Sequence, residues 1–136
     1  MILKAPIRGL FCVHPNASDY FCGMSDQRFS YEQLTRFVQS VFEKIGCPVP
    51  DAQLATQALL SADLRGIDSH GVARLSGYVR LWEVGRVNAR PNIRIVHELA
   101  TTATVDGDEG LGLVVAPFAM DLAISKAKQY GSAWVA

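Results

Sequence analysis

Cysteine is scarce in this chain of 136 residues: three occur, at Cys12, Cys22 and Cys47. An odd count at these spacings supports no disulfide framework. Cys12, His14 and Cys22 lack a fourth ligand and the close ligand pairs of a zinc ribbon, so the sequence offers no metal site. An excess of one charge is also missing, because 13 basic residues balance 13 acidic ones. That excludes the field expected of a nucleic-acid binder, and an anionic partner has to be held by individual side chains. No apolar run approaches the ~18–20 residues of a membrane span. Leu10-Phe11-Cys12-Val13, behind Lys4 and Arg8, is too short for a secretory core. A reducing, cytoplasmic setting is the expectation. What remains is 49% hydrophobic and 19% charged, a globular composition.

Residues 1–24 show no clean periodicity and read as an N-terminal extension, with Met24 as a candidate start. Residues 25–136 carry the pattern of a folded unit. Ser30-Tyr31-Glu32-Gln33 has the form of a capping box. Leu34, Phe37, Val38, Val41, Phe42 and Ile45 then follow the spacing of one buried helix face. Gly46, Pro48 and Pro50 end that helix. A second helix is predicted from about Asp51 to Leu64, with Leu54, Ala55, Ala58, Leu59 and Ala62 inward and Gly66 as its stop. A third follows Asp68-Ser69, with Val72, Leu75, Val79 and Trp82 on one side and Gly85 closing it. Ile93 to Glu98 and Thr101 to Asp106 read as a strand pair, and Asp106-Gly107-Asp108-Glu109-Gly110 as a turn. A fourth helix is placed near Pro117, with Val115, Ala119, Leu122, Ala123, Ala127 and Tyr130 as its stripe and Gly131 as its end. Ser132 to Ala136 opens a strand whose partners do not follow, so the unit reads as truncated at its C-terminus.

The densest polar cluster runs from Asp63 to Arg74, at a junction between two apolar helix faces. With Ser69 as a cap, His70 falls in the first turn of the third helix and Arg74 one turn further on the same face. A helix start and a guanidinium both oppose positive charge on the ring. A neutral imidazole can take the proton of an alcohol, and a guanidinium can grip a carboxylate with two hydrogen bonds. The competing reading is a solvated cap. A hydrolase built on Ser69 and His70 is disfavoured, because adjacent helical residues do not face each other. His14 and His97 have no polar cluster around them. Gly110-Leu111-Gly112 resembles part of a dinucleotide loop but lacks a third glycine and the strand–turn–helix spacing, so a tight turn is preferred.

The string Ala62-Asp63-Leu64-Arg65-Gly66-Ile67-Asp68-Ser69-His70-Gly71-Val72-Ala73-Arg74-Leu75 resembles the type-2 malate/L-lactate dehydrogenase family. That family includes ureidoglycolate and sulfolactate dehydrogenases, diketogulonate reductase and a cyclic-imine reductase. Val105-Asp106-Gly107, Gly110-Leu111-Gly112, the segment from Lys126-Ala127-Lys128 to Val135 and the capped helix from Ser30 match in order and spacing. The resemblance covers about Ser30 to Ala136 and leaves out residues 1–24. It implies hydride transfer between NAD or NADP and a small 2-hydroxy or 2-keto acid such as malate or lactate. Ser69, His70 and Arg74 correspond to the N-terminal catalytic group, with Arg74 on the substrate. The fold implied is mixed α/β and non-Rossmann, an N-terminal helical segment followed by a largely antiparallel sheet with helices, assembled as a homodimer when complete. Family members continue for more than this length again, and that part supplies an Asn-x-His-Phe-Gly-like segment, a catalytic acid and most cofactor contacts. The chain alone is therefore expected to be inactive and to bind nicotinamide cofactor poorly. The alternative is a non-catalytic product that acts only in subunit association.

Overall fold

The computed structural model describes residues 2–4 and 28–136. A short strand β1 (Ile2–Lys4) pairs antiparallel with β2 (Arg28–Ser30). The segment between them, with Cys12, His14, Cys22 and Met24, lies outside the described residues.

Helix α1 (Tyr31–Lys44) starts as its sequence predicts. The Ser30 hydroxyl accepts from Gln33 N–H at 3.2 Å, and the Gln33 side chain accepts from Ser30 N–H at 3.1 Å. Two of the four amide groups a helix start leaves unpaired are thus satisfied. Leu34, Val38 and Phe42 are buried along α1. Phe37 departs from expectation and is 56% exposed. It lies roughly a quarter turn round the axis from the centre of the stripe, too far to reach the core.

Helix α2 (Val49–Leu64) begins two residues before Asp51, behind Pro48, since prolines are tolerated in a first turn. Ala52, Ala55, Thr56, Leu59 and Leu60 are buried, and their small members let α1 approach closely. The Thr56 hydroxyl donates to Ala52 C=O at 2.7 Å, which removes the cost of burying it. Leu75 of α3 (Leu75–Glu83) and Leu111 and Val114 beside the start of α4 complete the same core. Burial of a side chain such as Phe42 stabilises by ~1.5–3 kcal/mol.

Strands β3 (Arg94–Glu98) and β4 (Thr102–Asp106) pair antiparallel, with an irregularity between Ile95 and His97. Helix α4 (Gly112–Tyr130) leads to β5 (Trp134–Val135), which lies parallel to β4. The strand order β3-β4-β5 makes β4, α4 and β5 a βαβ unit. Of the three strand pairings described, two are antiparallel and one is parallel.

Helix α4 starts five residues before the predicted Pro117. Leu111 and Val114 are both buried, and both Val114 N–H and Val115 N–H bond to Leu111 C=O. Core burial at 111 and 114 thus sets the helical register ahead of the proline, whose missing N–H costs one ladder bond inside the helix. Further along, Lys126 is buried, donates to Leu99 C=O at 2.7 Å and pairs with Glu98 at 2.7 Å. That tie fastens α4 to the β3–β4 hairpin. Tyr130, assigned to the buried stripe, is instead 48% exposed. No helix among the described residues is long and apolar enough to cross a membrane.

Candidate functional site

The polar cluster from Asp63 to Arg74 begins on the buried face of α2 and ends where α3 starts. Between them the chain makes two short 3₁₀ turns, Asp68–His70 and Val72–Arg74, separated by Gly71. This corrects the expected placement of Ser69. It does not cap an α-helix, and α3 begins only at Leu75. The physical reason is Gly71, whose extended backbone (φ −89°, ψ −146°) interrupts helical geometry between His70 and Val72. His70 and Arg74 consequently sit on separate turns, not one helix face, and His70 is not at an α-helix N-terminus.

The 3₁₀ turn instead brings Ser69 and His70 together. The Ser69 hydroxyl lies 2.9 Å from His70 Nδ1, a contact that regular helical geometry disfavours for adjacent residues and that this backbone permits. Both residues are exposed, as is Arg74. Nε2 of His70 has no hydrogen-bond partner among the described residues. No acidic group among them holds the ring's other nitrogen, so the third member of a hydrolase triad is missing here.

Anchorage of this exposed strap comes from Asp63, which the sequence reading placed in the cluster without a role. Its Oδ2 accepts Val72 N–H at 2.8 Å, and Oδ1 is buried with no partner among the described residues. Burial pushes the carboxyl up from the usual aspartate range; the Val72 N–H opposes this, and nearby Asp68 adds to it. The signal that could have found Asp63 is its spacing. It continues the 52, 55/56, 59/60 rhythm of the buried face, where a carboxylate must find a partner.

A second polar cluster surrounds the turn after β4. Asp108 accepts from the Asn88 side chain and from Asn92 N–H, both at 2.9 Å. Asp106 accepts from Asp108 N–H at 2.9 Å and from Arg94 at 2.7 Å. Those donors, the backbone N–H first and the guanidinium second, hold the Asp106 carboxyl below its ordinary range. Asp108 and Glu109 both adopt positive φ, 49° and 55°. Such geometry confirms a turn. It also corrects one point, because Gly110-Leu111-Gly112 does stand between a strand and a helix, in the β4–α4–β5 unit.

The glycines of that turn show how far it fits a dinucleotide. A Cβ on Gly110 would lie 2.7 Å from Pro91, and one on Gly107 would lie 2.8 Å from Val115. Both glycines are required by packing within the chain. Gly112 alone opens on free space, at a helix start without a side-chain cap. One open helix start is a fragment of a phosphate cradle and not the whole. No group of three or more possible metal ligands occurs among the described residues. His97 is exposed in β3 opposite Thr104. A shallow depression on α4, lined by Asp121, Ile124, Ser125, Lys128 and Gln129, contains none of Ser69, His70 or Arg74. The chemistry of the strap outweighs the shape of that depression as a guide to the site.

The model of the malate/L-lactate dehydrogenase family matches residues 29–136. L-sulfolactate dehydrogenase of Methanocaldococcus jannaschii is 42% identical over 105 residues, 77% of this chain and 30% of that protein. Malate dehydrogenase of Pyrococcus horikoshii is 46% identical over 104 residues, 76% of this chain and 29% of that one. The solved structure of malate dehydrogenase from Pyrococcus horikoshii OT3 superposes with a TM-score of 0.71 at 47% identity, covering 74% of this chain and 29% of its own. The chain thus spans about 30% of the length of the curated relatives it matches.

Proposed function

The chain belongs to the malate/L-lactate dehydrogenase family, and from that premise we propose that it is the substrate-binding and proton-transfer portion of an NAD- or NADP-dependent oxidoreductase acting on a small 2-hydroxy or 2-keto acid. The observation that carries this reading is the exposed Ser69–His70 pair at 2.9 Å. Likeness to malate and sulfolactate dehydrogenases supports the reaction class and does not favour a purely associative role.

In the proposed mechanism, His70 Nδ1–H donates to the Ser69 hydroxyl oxygen. That bond selects the tautomer with its lone pair on Nε2. Nε2 accepts the hydroxyl proton of the substrate during oxidation and returns it to the carbonyl oxygen in reduction. Arg74 receives the substrate carboxylate through two parallel hydrogen bonds, which fixes the reacting carbon relative to His70. Ser69 is a helper to His70 and not a nucleophile. A nicotinamide cofactor, when bound, supplies the hydride acceptor or donor. The described residues fit only a fragment of its cradle, and no residue here is assigned to hold it. A cytoplasmic homodimer, with residues 1–24 outside the catalytic part, belongs to the same proposal and is supported by the family resemblance.

Replacing Arg74 by Lys keeps the charge and loses the fork. In the catalytically complete protein, Arg74→Lys should raise KM for the acid substantially with a smaller change in kcat. Steady-state kinetics identical to the parent would remove Arg74 from the site.

A further inference from the structure

Asp63 stands apart from the residues just given chemistry. It is a carboxylate on the buried face of α2, 7% exposed. Burying such a group is costly unless hydrogen bonds compensate. One oxygen is compensated, since Oδ2 accepts Val72 N–H at 2.8 Å. The other lies against Gly71, so close that a Cβ at position 71 would collide with the carboxyl. These two contacts fall on consecutive residues. Immediately before them come Ser69 and His70; two residues after them comes Arg74.

The rest of the strap is lightly held. Neither 3₁₀ turn has a side-chain cap, and neither contains a buried residue. Among the described residues, the bond from Val72 N–H to Asp63 is the strap's one hydrogen bond to a side chain outside it. Half-buried Val72 and buried Leu75 pack on the core just beyond. The carboxyl therefore decides where the strap turns, and the turn decides whether Ser69 and His70 meet.

We propose that Asp63 is the positioning residue of this site: by holding Val72 N–H and seating Gly71, its carboxyl sets the Ser69–His70 hydrogen bond and the reach of Arg74. The functional half of this inference rests on the roles of His70 and Arg74 proposed above; the structural half does not. Glycine at 71 follows from the same contact, since no other residue leaves room for the carboxyl. An amide at 63 can present the same acceptor to Val72 and should restore the arrangement, whereas alanine cannot.

The test is imidazole ¹⁵N–¹H NMR of the 136-residue chain, with His70 assigned by its loss in His70→Ala and folding followed by circular dichroism. In the parent chain His70 Nδ1 should show a hydrogen-bonded shift. Asp63→Ala and Gly71→Ala should both move it to the value of a free imidazole, and Asp63→Asn should return it. A carboxyl that only stabilised the fold would lower Tm and leave the His70 signals alone. Unchanged His70 signals in folded Asp63→Ala overturn the proposal. Should that variant not fold, Gly71→Ala decides, because it keeps the Asp63 side chain and the nearest atoms its added methyl meets are those of the Asp63 carboxyl; unchanged signals there overturn it equally. In the catalytically complete protein, Asp63→Ala should lower kcat on the order of 10²-fold, the scale of a 1 Å misplacement, with rescue by Asn. If His70→Ala left turnover intact while the NMR coupling held, the positioning would stand and the role of His70 would fall. If His70→Ala abolished turnover while Asp63→Ala changed neither signals nor kcat, the reverse would hold.

Discussion

Two polar clusters of similar composition lie in this chain, one over 63–74 and one over 88–110. Both contain aspartates, glycines and arginines, and both join regular elements. In the second, the polar groups named are spent on one another or on the nearby backbone. Asp108 holds Asn88 and Asn92, Asp106 holds Asp108 and Arg94, and Arg90 donates to Gly46 C=O at 2.9 Å. In the first, one buried carboxyl does the holding, while His70 Nε2 and the Arg74 guanidinium have no partner among the described residues. A cluster that satisfies itself is a fastening. A cluster that leaves a base and a cation exposed on a fixed turn can meet a substrate.

The sharpest way to break that comparison is to change one residue in each cluster. His70→Ala should lower turnover of the catalytically complete protein by ~10²–10⁴-fold, the usual contribution of acid–base catalysis, with little change in Tm. Near-normal turnover would place His70 outside the reaction. Gly110→Ala should do the opposite. Its Cβ would crowd Pro91 at 2.7 Å and the Gly107 carbonyl at 2.9 Å. Overpacking of this kind costs ~1–3 kcal/mol, seen as a lower denaturant midpoint, with the His70 imidazole signals unmoved. A fully stable variant would show that the turn yields easily and is not the fastening described.

The smallest expected effect separates the clusters by the sign of a pH dependence. Asp63 has its carboxyl raised in the folded state, by burial above all. Such a group contributes its stability fully below the unfolded value of about 4, and that contribution is lost as pH rises through the folded value. Asp106 is lowered, chiefly by the Asp108 N–H and then by Arg94. Its contribution is present above about 4 and lost as pH falls, and it is weak because the group is exposed to solvent screening. Denaturant midpoints measured against pH should therefore flatten on the alkaline side of this window in Asp63→Asn and on the acid side in Asp106→Asn. The same slope change in both variants would contradict the assignment.

Much of this architecture can be read from residues near one another in the chain. The capping box at Ser30 and Gln33, the stops at Gly46, Gly66 and Gly131, and the strand pair over 94–106 all follow from interactions within a few positions. Where reading failed, a distant contact had intervened. Pro117 suggested a helix start, but burial of Leu111 and Val114 in the core shared with α2 began α4 earlier. That error also hid the strand–turn–helix context of Gly110-Leu111-Gly112. Phe37 matched an apolar rhythm that no second element among the described residues covers at its angle.

The motif from Asp63 to Arg74 was visible as a string, and its membership in a dehydrogenase family follows from the string. Its geometry was not visible. A helical periodicity rule places Ser69 as a cap and disfavours its contact with His70, because that rule assumes the backbone continues regularly. Gly71 and the carboxyl of Asp63 break the regularity across nine positions of sequence. The sequence by itself determined that the helices form, most of the buried faces of α1 and α2, and the string of candidate side chains from Asp63 to Arg74, since propensity, capping and amphipathic spacing act over one or two turns. Only the tertiary structure decided which of those side chains meet, where α4 begins and that β5 runs parallel to β4, because each depends on a group far along the chain finding a partner when the core closes.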